Sequence, residues 1–192
     1  MNQLVVATHN AGKLKEFATL LAPLGFAAIS AGELGLPEPD ETAPDFAGNA
    51  KIKALAAAQA SGLPTLADDS GLSVAALGGA PGVFSARFAA GDYPAAFARI
   101  IESAKAADEW RAWFTCALCL ARPDGSAATY IGLAHGRIAP APQGLGGFGY
   151  DPIFIPDGFE HSYAELGHAV KDKISHRARA FAQLSASLKN YP

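Results

Sequence analysis

Hydrophobic residues at the start of the chain change from a continuous run to a helical spacing and back again. Residues 4–7 and 26–30 are short apolar runs of the kind that form buried strands. Between them Leu and Phe recur every three or four positions, which predicts an amphipathic helix over about residues 12–23. The N-terminal part of the chain is therefore predicted to fold as strand, helix and strand.

The middle of the chain begins with a long polar loop. Residues 31–44 are rich in Gly, Pro, Asp and Glu, and Asp45 is placed to cap a second helix that ends at Ser61. Residues 65–67 and 72–75 are predicted to be two short strands. The sequence Asp68-Asp69-Ser70-Gly71 between them is typical of a turn.

The second half of the chain is predicted to contain two helices and a hairpin. A third helix is capped by Asp92 and is predicted to continue to about residue 107. Two long apolar runs, residues 110–121 and 127–138, predict a β-hairpin that extends the sheet and offers a surface for dimerisation. A final helix is predicted to begin near Ser175.

Composition and charge narrow the class of protein. With 192 residues, half of them hydrophobic, the chain can bury a substantial core as a single domain, 1–192, with two lobes. The net charge of −3 and the lack of a dense Lys/Arg run argue against binding to nucleic acid polymers or to a membrane surface. No apolar stretch approaches the ~20 residues that span a bilayer, and no signal-peptide pattern precedes the first strand. We therefore expect a cytoplasmic protein.

The loop Thr8-His9-Asn10-Ala11-Gly12-Lys13 is the first candidate site, because it joins a buried strand to a helix N-terminus. Lys13 would lie in the first helical turn, where the helix dipole disfavours a cation unless an anion is also present. Hydroxyl, amide and backbone N–H groups of the loop suit phosphate oxygens. The alternative is an ordinary connection with an exposed lysine.

Acidic residues at predicted loops form a second candidate site. Glu41, Asp68, Asp69 and Asp151 would repel a nearby phosphate unless a divalent cation lay between them. Magnesium (Mg²⁺) commonly binds one or two carboxylates together with phosphate oxygens. A carboxylate there can also deprotonate a water for attack on phosphorus, and Asp69 is the first candidate for this role. The alternative for the aspartate pair is a plain turn.

Basic and aromatic residues complete the candidate set. Lys53 lies one helical turn after Asn49, so both should share a helix face. Lys171 and Ser175-His176-Arg177 form a second cationic group, whose alternative is a helix cap with surface charges. Phe148, which lies between glycines, could stack on a base or belong to the core.

Taken together, these motifs resemble the inosine triphosphate pyrophosphatase family, also described as non-canonical purine NTP or dITP/XTP pyrophosphatases, over essentially the whole chain. Eight motifs occur in the family's order: Thr8-x-Asn10-x-x-Lys13, Glu41-Thr42, Asn49-Ala50-x-x-Lys53-Ala54, Ala67-Asp68-Asp69-Ser70-Gly71-Leu72, Leu77-Gly78-Gly79-Ala80-Pro81-Gly82, Ser85-Ala86-Arg87, Gly147-Phe148-Gly149-Tyr150-Asp151-Pro152 and Ser175-His176-Arg177. The order and spacing together make the resemblance specific.

The resemblance implies an elongated, two-lobed α/β fold, a mixed sheet flanked by helices with a central nucleotide-binding cleft, and a homodimer. It also implies magnesium-dependent hydrolysis of a nucleoside triphosphate to the monophosphate and pyrophosphate. Asp69 would accept the proton of the attacking water, and Glu41 and Asp69 would bind the metal. The implied substrate-binding residues are Thr8, His9, Asn10, Ala11, Gly12, Lys13, Lys53, Ser70, Phe148, Gly149, Tyr150, Asp151, Lys171, His176 and Arg177.

The implied preference for dITP, ITP and XTP has a physical basis. These bases carry a 6-keto acceptor where adenine has an amino donor, so N–H groups directed at that position would reject adenine. The way in which guanine is excluded is not evident from the sequence. Two departures from the family also stand out: Gly48 replaces a common glutamate, and His9 replaces a common glycine.

Two other functions fit parts of the pattern. A non-catalytic module that senses such nucleotides would need the phosphate loop but not a water-activating carboxylate. A relative of the septum-associated nucleotide pyrophosphatases would prefer modified pyrimidines or methylated bases. The motifs at Phe148 and His176 favour the purine pyrophosphatase.

Overall fold

The computed structural model describes residues 2–8 and 11–188, which contain a six-stranded mixed sheet. The strands are β1 (Asn2–Val6), β2 (Phe26–Ser30), β3 (Thr65–Val74), β4 (Arg111–Ala121), β5 (Ala127–Ile138) and β6 (Phe154–Pro156). Their order across the sheet is β2-β1-β3-β4-β5-β6. β1 pairs in parallel with β2 and β3, whereas β5 pairs antiparallel with β6. The α/β class predicted from the sequence is confirmed.

Six α-helices accompany the sheet in the described part of the chain. They are α1 (Ala11–Leu21), α2 (Phe46–Ser61), α3 (Ser85–Ala89), α4 (Tyr93–Ala107), α5 (Tyr163–Ile174) and α6 (His176–Leu188). Of these, α2, α4 and α5 begin at residues whose side chains cap them. Asp45 accepts a hydrogen bond from the Gly48 N–H, and Asp92 accepts one from the Ala95 N–H, so both predicted N-caps are confirmed. α2 ends at Gly62, which adopts the left-handed conformation that glycine tolerates best.

Two compact units divide the chain. Unit 1 contains the described residues up to Asp69, together with 117–131 and those from Ala180 onward. Unit 2 contains Ser70–Cys116 and Gly132–Arg179. β3, β4 and β5 each contribute residues to both units.

Unit 2 has an aliphatic and aromatic core. Leu72, Ile100 and Ile153 are fully buried there with Tyr163, and Phe114 packs edge-on against Phe154. Unit 1 contains a core cluster of a different kind, because its buried members are all small. They are Ala50, Ala54, Ala58, Ala67, Ala117, Cys119 and Ala121. Six methyl groups and one thiol allow α2 and the strands to approach closely.

The predicted turn at Asp68-Asp69-Ser70-Gly71 is wrong, because β3 runs unbroken from Thr65 to Val74. Polar residues at this point suggested a turn, but both aspartates are buried and hydrogen-bonded. Helix α5 is not predicted by the sequence pattern. That helix contains Gly167, whose φ of 70° interrupts the helical backbone and with it the helical pattern.

None of the helices in the part of the chain that the structure describes is long and apolar enough to cross a membrane.

A leucine in place of Ala54 tests the close packing of α2. Ala54 is fully buried among the small residues, so three added carbon atoms have no space there. We expect Ala54→Leu to lower the free energy of unfolding by about 1–3 kcal/mol, measured by urea denaturation. Ala60→Leu, at an exposed position of the same helix, is the control and should cause little change. Equal effects of the two variants would contradict this packing.

Candidate active site

The first candidate segment joins β1 to α1, as its sequence predicts. Thr8 is buried, and its N–H donates to the carbonyl oxygen of Val6 at 2.8 Å. Ala11 and Gly12 are the first two residues of α1, so Lys13 lies in its first turn. His9 and Asn10 lie outside the described residues. A helix N-terminus is thus present where the sequence predicted a site for phosphate oxygens.

Lys13 binds a carboxylate on β3. Its Nζ lies 3.0 Å from both oxygens of Asp68, whose side chain is buried. The first-turn cation is therefore accompanied by a negative charge from the protein itself. The sequence placed Asp68 among the acidic candidates but did not predict its pairing with Lys13. Continuous β3 explains its position, because successive side chains of a strand point to opposite faces.

Asp69 and Glu41 both lie close to the Lys53 ammonium. The Lys53 ammonium is 2.5 Å from Glu41 Oε1 and 4.0 Å from Asp69 Oδ1. Asn49, one helical turn before Lys53, donates from Nδ2 to Asp69 Oδ2 at 3.1 Å. The prediction that Asn49 and Lys53 share a face is confirmed, since both side chains reach Asp69. Two carboxylates and one ammonium thus form a compact charged group in unit 1.

Asn49 also holds the polar loop that carries Glu41. Its Oδ1 accepts the Ala43 N–H at 2.9 Å. Gly48 contributes to this contact, because a Cβ at that position would overlap the Ala43 side chain. The glutamate that the family resemblance implies at this position would require the loop to move. In this chain Gly48 therefore permits a close fit between the loop and α2.

Burial changes the acid–base properties of this group. It raises the pKa of Asp69 to about 6, although Lys53 and the Asn49 hydrogen bond act in the opposite direction. Burial lowers the pKa of Lys53, but the hydrogen bond from Lys53 to Glu41 and the charges of the three nearby carboxylates outweigh it, so the pKa is raised overall. Asp69 is thus a stronger base than an ordinary aspartate, beside a lysine that stays protonated.

The donor set fits magnesium better than a transition metal. No group of three or more His, Cys, Asp or Glu side chains that could hold a metal ion occurs among residues 2–8 and 11–188. Glu41 and Asp69 instead offer carboxylate oxygen atoms within 4.0 Å of one cation, the Lys53 ammonium. Magnesium commonly takes only one or two protein carboxylates and completes its shell with water and phosphate oxygens. Two carboxylates therefore suit magnesium without further ligands from the protein.

The second group of predicted residues lies in unit 2. Asp151 is buried, and its Oδ2 accepts both the Lys171 ammonium at 2.5 Å and the Phe148 N–H at 2.9 Å. The Lys171 Nζ lies 4.1 Å from the centre of the Phe148 ring, in a cation–π contact. Phe148 is 54% exposed, so the alternative that it is a core residue is wrong. Its ring is available for stacking.

Three further predicted residues, Ser70, Gly149 and Tyr150, each follow a candidate side chain in the sequence. Gly149 and Tyr150 follow Phe148, and Tyr150 is buried. Ser70 follows Asp69 on β3 and is partly buried. Each thus belongs to an element that already carries a candidate side chain.

His176 and Arg177 begin α6 and are both buried, so they are not the surface charges of the alternative interpretation. The His176 ring stacks on Phe114, with their centres 4.7 Å apart and their planes 10° apart. Ser175 caps this helix, because its Oγ accepts the Ala178 N–H at 3.1 Å. The packing therefore fixes the orientation of the imidazole.

Comparison with known sequences settles the family. The sequence model of the Ham1 family matches residues 4–187. The chain belongs to the Ham1 family. A Ham1 relative from Rhodospirillum centenum (strain ATCC 51521 / SW) is 55% identical over 188 residues, which cover 95% of this chain and 93% of the relative. One from Gluconobacter oxydans (strain 621H) is 52% identical over 181 residues, which cover 93% and 87%. Both relatives are named dITP/XTP pyrophosphatase, and the resemblance identified from the motifs is confirmed.

Solved Ham1 structures have the same fold. The HAM1 protein from Coxiella burnetii is 40% identical to this chain, with a TM-score of 0.92 and coverage of 99% of this chain and 100% of that one. The Staphylococcus aureus Ham1 protein is 33% identical, with a TM-score of 0.91 and full coverage of both chains. The Ham1 architecture is therefore shared along the whole described chain.

The raised pKa of Asp69 predicts an unusual pH dependence of stability. Below about pH 4 the carboxyl is protonated in both folded and unfolded chains, whereas above about pH 6 the folded protein carries a buried charge. Stability is therefore lost as the pH rises through this range. In EDTA without nucleotide, Asp69→Asn should raise the free energy of unfolding at pH 8 by on the order of 1–2 kcal/mol, after allowance for solvent screening.

Urea denaturation at pH 4 and pH 8 measures the effect, and the gain should shrink towards pH 4. Asp40→Asn removes an exposed carboxylate from the loop that carries Glu41 and is the matched control. A gain for Asp69→Asn that is independent of pH would show that the carboxylate is not under electrostatic strain.

Proposed function

We propose that this protein hydrolyses non-canonical purine nucleoside triphosphates (dITP, ITP and XTP) to the monophosphate and pyrophosphate. One observation carries the proposal. Asp69 is a buried carboxylate with a raised pKa beside Lys53 and Glu41, in a chain about half identical to proteins named dITP/XTP pyrophosphatase. A base of this strength next to fixed positive charge suits water attack on a phosphoric anhydride.

The triphosphate is assigned to residues of unit 1. The N-terminus of α1 offers backbone N–H groups, and Lys13 and Lys53 offer positive charge. The proposed phosphate-binding residues are Thr8, His9, Asn10, Ala11, Gly12, Lys13 and Lys53. Asp68 contributes indirectly, because it holds the Lys13 ammonium in place.

Glu41 and Asp69 are the proposed ligands of magnesium (Mg²⁺). When bound, the ion would neutralise negative charge on the phosphate oxygens. Asp69 takes the proton from water, and the water oxygen bonds to phosphorus as the α–β anhydride bond breaks. Lys53 and Lys13 stabilise the charge that develops on the phosphate oxygens. Pyrophosphate leaves, and the other product is the nucleoside monophosphate.

The nucleoside is assigned to Ser70 at the end of the Asp69 motif and to residues of unit 2. Phe148 offers its exposed ring to the purine, in a contact that any base could make. Selectivity must therefore come from hydrogen-bond donors directed at the 6-keto group. The residues proposed to form this side, by direct contact or by supporting a residue that makes contact, are Ser70, Phe148, Gly149, Tyr150, Asp151, Lys171, His176 and Arg177.

We further propose that the protein acts as a cytoplasmic homodimer. β5 exposes two large apolar side chains, Ile131 and Leu133, on the hairpin that the sequence predicted as a dimer surface. Covering them with a second copy would remove apolar area from water. Nucleoside triphosphates, and no nucleic acid polymer, are the proposed partners.

A substrate panel tests the reaction. With Mg²⁺ present, dITP, ITP and XTP should be hydrolysed with kcat/KM at least ~100-fold above dATP, because adenine presents a donor where the site requires an acceptor. Pyrophosphate should be the first product, measured separately from orthophosphate. EDTA should abolish turnover, and added Mg²⁺ should restore it.

Three outcomes would overturn the assignment. Orthophosphate as the first product would place the cleavage at another bond. Preference for modified pyrimidines or methylated bases would identify the septum-associated type of pyrophosphatase instead. Binding of dITP without turnover would identify a nucleotide sensor.

Replacement of Asp69 tests the proton acceptor. Asp69→Asn keeps the size of the side chain and an acceptor for the Asn49 amide but cannot take a proton. We expect kcat for dITP to fall by about 10²–10⁴ while dITP still binds, as measured by steady-state kinetics and calorimetry. Asp40→Asn should keep the wild-type kcat. Retained turnover in Asp69→Asn would remove this residue from its proposed role.

A further inference from the structure

Phe148 lies on a loop that cannot fix its position alone. Its two neighbours, Gly147 and Gly149, both have positive φ angles, 73° and 61°, and its ring is largely exposed. Glycine leaves a backbone unusually free to move. A ring that must meet a purine at stacking distance therefore needs supports outside the loop.

Tyr150 ties this loop to α3. The side chain is only 4% exposed, and its hydroxyl donates to the carbonyl oxygen of Ser85 at 2.7 Å. The ring packs edge-on against Tyr93, with their centres 5.4 Å apart, and lies 6.1 Å from the Phe97 ring. Because the hydroxyl is buried and engaged within the protein, Tyr150 supports the loop from the side of the core.

Ser85 is itself fixed on two sides. Its Oγ accepts the Leu72 N–H at 2.9 Å and donates to the Gly82 carbonyl oxygen at 2.6 Å. Leu72 is fully buried on β3, three residues after Asp69. A continuous buried connection thus leads from β3 through Ser85 and Tyr150 to the loop of Phe148.

We propose that Tyr150 and Ser85 are positioning residues, which set the place of the Phe148 ring without touching the nucleotide. The inference rests on the proposed function, in which Phe148 stacks on the base. It divides the loop into one residue that makes contact, Phe148, and one that holds it, Tyr150. Stacking is present in both the bound substrate and the transition state, so a displaced ring raises KM and leaves kcat nearly unchanged.

A second support, the Asp151–Lys171 pair, is less useful for a test. Both side chains are buried and charged, so removing either leaves an unpaired buried charge and threatens folding. Tyr150→Phe instead removes a single oxygen atom and keeps the aromatic packing. It is the cleanest change available in this connection.

Tyr163→Phe is the matched control for this variant. Tyr163 is also a buried tyrosine of unit 2, but its hydroxyl has no hydrogen-bond partner among the residues that the structure describes. We expect Tyr150→Phe to raise KM for dITP and XTP alike by about five- to tenfold, with kcat within about twofold of wild type. Tyr163→Phe should leave both constants unchanged. Ser85→Ala, which frees the Leu72 N–H, should raise KM by a smaller factor.

A double-variant cycle then asks whether Tyr150 acts through Phe148. In a Phe148→Ala background, Tyr150→Phe should raise KM no further, because the ring that it positions is absent. Thermal melting of each variant checks that it is folded. Additive effects on KM, a loss confined to one base, or a fall in kcat with unchanged KM would overturn the inference.

The same measurements separate this inference from the proposed function. If wild-type protein does not hydrolyse dITP, or if Phe148→Ala leaves KM unchanged, the proposed function or its stacking contact fails. If Phe148→Ala raises KM while Tyr150→Phe does not, only the positioning role of Tyr150 fails.

Discussion

The constraint on which the candidate site depends is the burial of two successive aspartates on β3. Their side chains point to opposite faces, so each has its own hydrogen-bond partner. Asp68 takes Lys13 from α1, while Asp69 takes Asn49 and Lys53 from α2. Burying a carboxylate is costly unless it is paired and hydrogen-bonded. The strand therefore requires both helices to present specific polar residues, and the position of each helix is tied to the charges on β3.

The cluster of small residues beneath α2 serves the same charged group. An alanine face allows the helix to lie close to the strands, and Asn49 and Lys53 then reach Asp69 with short side-chain paths. Larger core residues would lift the helix and lengthen these contacts. Close packing and electrostatics are thus two parts of one arrangement. The second group is stabilised differently. There a buried ion pair between Asp151 and Lys171 supports the exposed ring of Phe148.

Most elements could be predicted from the sequence because their local signals agree with their environment. α2 and α4 carry Asp caps, and the hairpin of β4 and β5 has long apolar runs around a Pro-Asp-Gly turn. The site motifs were recognisable because residue type and spacing recur in the family. The turn predicted within β3 failed because partners distant in sequence neutralise its polar residues. The hydrogen bond between Tyr150 and the Ser85 carbonyl oxygen could not be predicted, since the two residues are 65 positions apart.

Asn49 connects the loop of Glu41 to Asp69. A single amide supports the loop of Glu41 through its oxygen and Asp69 through its nitrogen. An aspartate there would lose the donor, and a leucine would lose both bonds. Divergence at this position would therefore alter the position of the Glu41 loop and the pKa of Asp69 together. Evolution cannot adjust one of these properties at Asn49 without disturbing the other.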